Sequence, residues 1–205
     1  MEAVIHGIYR DIIEEIPIRS RDQILQIPTW MLPMPVFAFN PLAFMSFAAG
    51  VKTRGQYGHF MWLIDPNEFA SQSWWFQSVP IVPAGDGPGH YDKYILKFVY
   101  NPAWTDLQRA IIIAEIRRDL ARPWWQTAYD VPQLLGHLVG LKWIQLPGFE
   151  VCSDRADYIR LVDSCYDLYR PTPTDVNILM KSLKWSPVFP GKSGFLVYGR
   201  TIGLD

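Results

Sequence analysis

Residues 27–51 carry no charged side chain, and that fact limits what the chain can build from them. The stretch is long enough to cross a bilayer core as a helix. Pro28, Pro33, Pro35 and Pro41, with Asn40 among them, would interrupt such a helix repeatedly, and lipid offers no partner for the freed backbone groups. A spanning helix is therefore a poor fit. Asn40 as N-cap, Pro41 at the first helical position and Gly50 past the end instead frame a short helix, so the stretch reads as a core helix with a proline-rich approach. Its uncharged surface keeps peripheral membrane contact through 27–51 open as an alternative.

The chain around it has 205 residues, enough for one domain with a sizeable core. Residues 1–19 are expected to form an N-terminal helical extension, with Val4, Ile5, Ile8, Tyr9, Ile12, Ile13 and Ile16 on one stripe and Pro17 ending it. Residues 186–205 form a tail with one strand. The formal net charge is −1, so the basic footprint of a nucleic-acid binder is missing despite the many aromatics. The first residues lack the basic-then-apolar order of a secretory signal. A cytoplasmic location is expected, or export without a recognisable signal peptide.

Between these ends the chain alternates short strands and helices. Residues 59–64 read as a buried strand, turned by Asp65-Pro66-Asn67, with 69–76 returning beside it. Residues 79–82 suggest a short edge strand and 94–100 another strand. The glycine loop at 84–89 lacks the Lys-Ser or Lys-Thr of a phosphate loop. A helical region follows Asn101-Pro102 and stops before Pro123, its expected buried face carrying Leu107, Ala110, Ile111, Ala114 and Ala121, widened by Ile112, Ile113 and Ile116. A short apolar segment covers 134–139. A helix over 153–169 and a short helix capped at Thr172-Pro173-Thr174-Asp175 complete the order.

Cys152 stands where an apolar approach meets the start of the 153–169 helix. A helix N-terminus lowers a cysteine's pKa, and the thiolate is the nucleophile. Cys165 lies thirteen residues on, about 20 Å along a helix, too far for a disulfide or a compact zinc knuckle. It reads as a core residue, and no metal or cofactor is expected. His59 stands at the first position of its strand, where a histidine by itself reads as structural. Gln72 is placed to lie near it across the hairpin, with Glu68 and Ser73 as alternatives. His6, His90 and His137 read as structural.

Four separated pieces resemble, in order, the circularly permuted papain-like cysteine hydrolases, relatives of the NlpC-type peptidases and of lecithin:retinol acyltransferase. Tyr57-Gly58-His59-Phe60-Met61-Trp62 is similar to the family's histidine strand. Ala128-Tyr129-Asp130 is similar to its Tyr-Asp, Phe149-Glu150-Val151-Cys152-Ser153 to its nucleophile start, and Thr172-Pro173-Thr174-Asp175-Val176 to its Thr-Pro-x-Asp-Leu segment. The sequence departs from the pattern at Asp154-Arg155, where the family has Glu-Leu, and at Gly58, where it commonly has Ser.

The resemblance implies an α+β fold in which a small antiparallel sheet packs against helices, with the nucleophile at a helix N-terminus. It also implies a Cys-His hydrolase acting on a peptide or peptidoglycan amide through a thioester, with Cys152 as nucleophile, His59 as base and Gln72 orienting the imidazole. The Cys152 N–H is the expected oxyanion donor. Two alternatives stand beside this reading. One is an acyltransferase or thioesterase using the same pair on a lipid ester. The other is a non-catalytic interaction or assembly module that retains the fold.

Overall fold

The computed structural model describes residues 27–39, 58–80, 95–139, 141, 146–147, 149–191, 194–197 and 200–202. The expected N-terminal helix, the helix framed by Asn40 and Gly50, and the glycine loop at 84–89 lie outside them. Among the described residues, eight antiparallel strands form one sheet: β1 (Met34–Phe39), β2 (His59–Asp65), β3 (Glu68–Gln72), β4 (Phe76–Pro80), β5 (Ile95–Tyr100), β6 (Ser186–Gly191), β7 (Gly194–Val197) and β8 (Arg200–Ile202). Their spatial order is β4-β3-β2-β1-β5-β6-β7-β8. Among the described residues, three α-helices accompany the sheet: α1 (Asp106–Leu120), α2 (Val131–Val139) and α3 (Pro173–Ser182). The fold is α+β.

β2 is buried on both faces, which explains its unbroken apolar run. Phe60, Trp62 and Ile64 pack with Ile112, Ile116, Ala156, Ile159, Val176 and Met180 from the helices. Met61 and Leu63 join Met34, Val36, Phe69, Leu96 and Phe98 in a second apolar cluster with Met31 and Leu32. The front of the uncharged stretch is thus strand β1, where no strand was expected. Pro35 is tolerated there because β1 pairs with β5 only from Val36 onward, so no ladder bond from Pro35 is needed on that side.

The helices start where their side chains supply backbone partners. Thr105 and Gln108 form a reciprocal capping box at α1, and Thr172 with Asp175 does the same at α3, where Pro173 follows the cap. α1 rotates from its expected face: Ile112, Ile116, Arg109 and Asp119 are buried, whereas Leu107 and Ile111 are exposed. The buried Arg109 explains the difference, because its guanidinium bonds the carbonyls of Met31 (3.1 Å) and Asn101 (2.7 Å) under the Tyr100 ring. Periodicity counts apolar residues and does not foresee an arginine used as a core brace. The tail holds three strands, β6 to β8, where one was expected. No helix among the described residues is long and apolar enough to cross a membrane.

Candidate active site around Cys152

Cys152 begins a 3₁₀ helix that runs Cys152–Leu161, shorter than the expected 153–169. Trp62 Nε1 donates to the Arg155 carbonyl (2.9 Å) and Ser153 Oγ donates to the Pro171 carbonyl, so the helix is fixed to β2 on one side and to the start of α3 on the other. The Asp154 carboxylate turns back and accepts the Val151 N–H (3.0 Å), which caps the first turn. Beyond Leu161 the chain turns, and the Asp163 carboxylate accepts the Cys165 N–H (2.9 Å). Cys165 is consequently exposed rather than part of the core, and both thiols are free.

The Cys152 sulfur is buried among three donors: the backbone N–H groups of Phe60 and Ser153 and the Tyr129 hydroxyl. Each favours a thiolate. Burial disfavours it more strongly, the Asp154 carboxylate adds repulsion, and the thiol is pushed up to about 11. The lowering expected of a helix start is therefore reversed, because desolvation outweighs the partial charge of one short helix end. The Tyr129 oxygen also accepts the Cys152 N–H. The expected oxyanion donor is thus occupied by a tyrosine hydroxyl in this state.

His59 begins β2, one residue before the peptide that meets the thiol. Its Nε2 lies 2.9 Å from Ser71 Oγ. Burial lowers the imidazole to about 4, so it is neutral over the physiological range. Gln72, expected to orient this ring, does not touch it. Its Nε2 donates to the Thr127 carbonyl (2.7 Å) and its Oε1 accepts from Arg155 Nε (3.0 Å).

The reason is a bulge. At the turn Asp65 faces Glu68, a register that would set Gln72 opposite Met61. The pairing shifts by one residue between Leu63 and Asp65, so Met61 faces Ser71 instead. A one-residue shift exchanges the two faces of a strand, which brings Ser71 to the histidine side and turns Gln72 towards the helices. The two alternatives are elsewhere as well. Glu68 is held by Arg117 in a two-point ion pair (2.7 and 2.6 Å), and Ser73 is exposed beyond the strand.

Gln72 belongs to a buried polar network centred on Arg155. Its Nη1 meets Asp119 Oδ2 (2.9 Å), Glu150 Oε2 (2.9 Å) and the Tyr158 hydroxyl (3.0 Å), and its guanidinium lies 4.2 Å from the Phe76 ring centroid. Tyr158 in turn donates to Asp119 (2.8 Å). One side chain thus ties the Cys152 helix to β3, β4, α1 and the strand-like segment before the cysteine.

Tyr129 reaches the thiol because its neighbours are pinned. The Asp130 carboxylate accepts the N–H groups of Gln133 (2.7 Å) and Leu146 (2.7 Å), the Asp130 N–H donates to the Glu150 carbonyl (3.1 Å), and the Tyr129 N–H donates to the Trp74 carbonyl (2.8 Å). Tyr129 was not among the candidate residues, although its Tyr-Asp dipeptide is part of the sequence resemblance. What the sequence lacked was the pairing of Tyr129 with Glu150, which places the tyrosine beside the cysteine approach. Trp74, Trp75, Trp124 and Trp125, from the two segments that flank Tyr129, are exposed. A groove lined by Leu168, Tyr169, Ile178 and Leu179 shares no residue with the thiol's surroundings.

Among the described residues, no group of three or more His, Cys, Asp or Glu side chains is arranged to hold a metal ion. His137 falls where side chains are not described. No family model matches the chain, and no curated protein or solved structure does.

Proposed function

We propose that the chain is a cysteine hydrolase with a permuted papain-like arrangement, acting on a peptide or peptidoglycan amide. The observation that carries this reading is the setting of Cys152: a thiol at a helix start meets the Phe60 N–H and the Tyr129 hydroxyl. His59 precedes Phe60 on β2, and its imidazole bonds Ser71 rather than the thiol. The order histidine, Tyr-Asp, cysteine, Thr-Pro-x-Asp supports it further.

In the proposed reaction the resting pair is a neutral thiol and a neutral imidazole. The thiol proton passes to His59 as Sγ attacks the substrate carbonyl carbon, so no preformed thiolate is required. Ser71 takes the orienting role in place of Gln72. As a hydroxyl it can fix the ring and its tautomer, but it stabilises imidazolium less than a carboxylate would. The oxyanion takes the place at the Cys152 N–H, with the Tyr129 O–H as a second donor once its oxygen swings aside. His59 then protonates the leaving amine, and water attacks the thioester. A lipid ester would be served by the same steps.

The test is hydrolysis of peptide amides, peptidoglycan fragments and lipid esters by the wild-type chain, Cys152→Ser and His59→Ala. Turnover on one substrate class that both substitutions abolish is the expected result; turnover that survives both sinks the proposal. A second reading, an interaction module, is favoured by the four exposed tryptophans together with the raised thiol pKa. It predicts no turnover on any class and loss of partner binding on Trp74→Ala or Trp124→Ala.

A further inference from the structure

We propose that Asp154 acts through Cys152: its carboxylate adds to the burial that keeps the sulfur protonated, and on taking up a proton it removes that added part. The geometry gives the reason. Asp154 lies on the first turn of the cysteine helix, and its carboxylate folds back over the helix start, with Oδ2 on the Val151 N–H (3.0 Å) and Oδ1 on Gln133 Nε2 (3.3 Å). A negative charge is thereby anchored at the helix end, against the partial charge there and on the same side as the burial that opposes a thiolate. The effect is mutual, since two like charges in one partly desolvated site each disfavour the other.

A second observation concerns the partner. Gln133 is fully buried, and its Oε1 has no hydrogen-bond partner while its Nε2 serves Asp154. A side-chain amide can donate through nitrogen to a carboxylate or, turned over, accept through oxygen from a carboxylic acid. Gln133 therefore suits Asp154 in either protonation state. The other ionisable groups felt by Asp154 are Glu150, on the approach to the cysteine, and Asp157, on the helix. Tyr129 and Tyr166, from neighbouring segments, and Cys152 itself feel Asp154 in turn. Burial opposes its ionisation most, and the two carboxylates add to it, Arg155 being engaged by Glu150 and Asp119. The Val151 N–H and the Gln133 amide work the other way, and Asp154 is pushed up to about 6.

The inference rests on Cys152 as the reactive centre proposed above, but its test reads protonation and not turnover, so either can fail alone. The experiment is a pH titration of the ¹³Cβ shift of Cys152 and the carboxyl ¹³C shift of Asp154, in Cys165→Ser protein so that one thiol is observed. In this parent, the Cys152 signal should show a first inflection near pH 6 that coincides with the Asp154 carboxyl titration. In Asp154→Asn that inflection should vanish, and the main thiol midpoint should fall by about one pH unit, equivalent to about tenfold more thiolate at a fixed lower pH. Asp154→Ser, whose hydroxyl can still accept a backbone N–H, gives the same readings if the Asn variant does not fold. A parent signal with no inflection near 6, or an unchanged thiol midpoint in a folded neutral variant, overturns the inference.

Discussion

Arg155→Met is the perturbation that the structure makes most costly for its size. The guanidinium is 4 % exposed as part of its residue, and it holds Asp119, which is 6 % exposed, together with Glu150, Tyr158 and Gln72. Methionine replaces the apolar stem and keeps a contact with Phe76, but leaves Asp119 short of its principal counter-charge. Breaking a buried pair by removing one partner costs about 3–5 kcal/mol. The orphaned Gln72 Oε1 adds about 1–3 kcal/mol, although neighbouring losses are not additive. Arg122, 3.4 Å from Asp119 Oδ1, and the Tyr158 hydroxyl offset part of the loss. The expected net change is about 4 kcal/mol, or about 10 °C in Tm for a chain of this length.

Urea unfolding followed by circular dichroism measures it, with the slope checked for two-state behaviour. Asp119→Asn on the Arg155→Met background should recover about 1–2 kcal/mol, because the charge left unpaired is then gone. Arg155→Lys should fall between the parent and Arg155→Met, since one ammonium cannot serve Gln72 and both carboxylates at once. A loss below about 1 kcal/mol for Arg155→Met, or no recovery in the double variant, would refute the account of this network.

Other expectations follow from single contacts. Trp62→Phe removes the indole donor to the Arg155 carbonyl and should cost about 1–3 kcal/mol in the same unfolding assay. Thr172→Ala removes half of the capping box on α3 and should cost about 1 kcal/mol. Ser71→Ala should lower kcat on any substrate found, with little change in KM, whereas Gln72→Ala should lower stability first. Stability against pH separates two groups. His59 is depressed to about 4, so the folded chain binds fewer protons there than the unfolded one, and its contribution is lost as pH falls from about 6.5 through 4. Asp154 is raised to about 6, so its contribution is present at low pH and lost as pH rises through 6. Between pH 4 and 6 the two slopes oppose. His59→Gln should leave stability falling with pH in that window, and Asp154→Asn should leave it rising, as read from urea midpoints.

How much of this was legible beforehand depended on whether a feature is local. Capping boxes are local: Thr172-Pro173-Thr174-Asp175 is a helix start in the sequence and in the structure. The β2 hairpin was legible from its apolar run and its Asp-Pro-Asn turn. The orienting residue was not, because one bulged residue near Ile64 decides whether Ser71 or Gln72 stands on the histidine face, and nothing at 71 or 72 records that choice. The thiol's protonation is hidden from the sequence for a similar reason. A helix start is visible in the sequence, but the burial that overrides it comes from β2 and the Tyr129 segment. Arg109 and Arg155 show the same limit, since charged residues on helices read as solvent-facing until tertiary partners for them are known.

The most direct test of the account is intact-mass detection of an acyl adduct during turnover of an activated peptide ester. Wild-type protein should show a covalent mass increase that maps to Cys152 and decays as product forms, absent in Cys152→Ser and strongly slowed in His59→Ala. Product formation with no adduct on Cys152, or undiminished in Cys152→Ser, would contradict it.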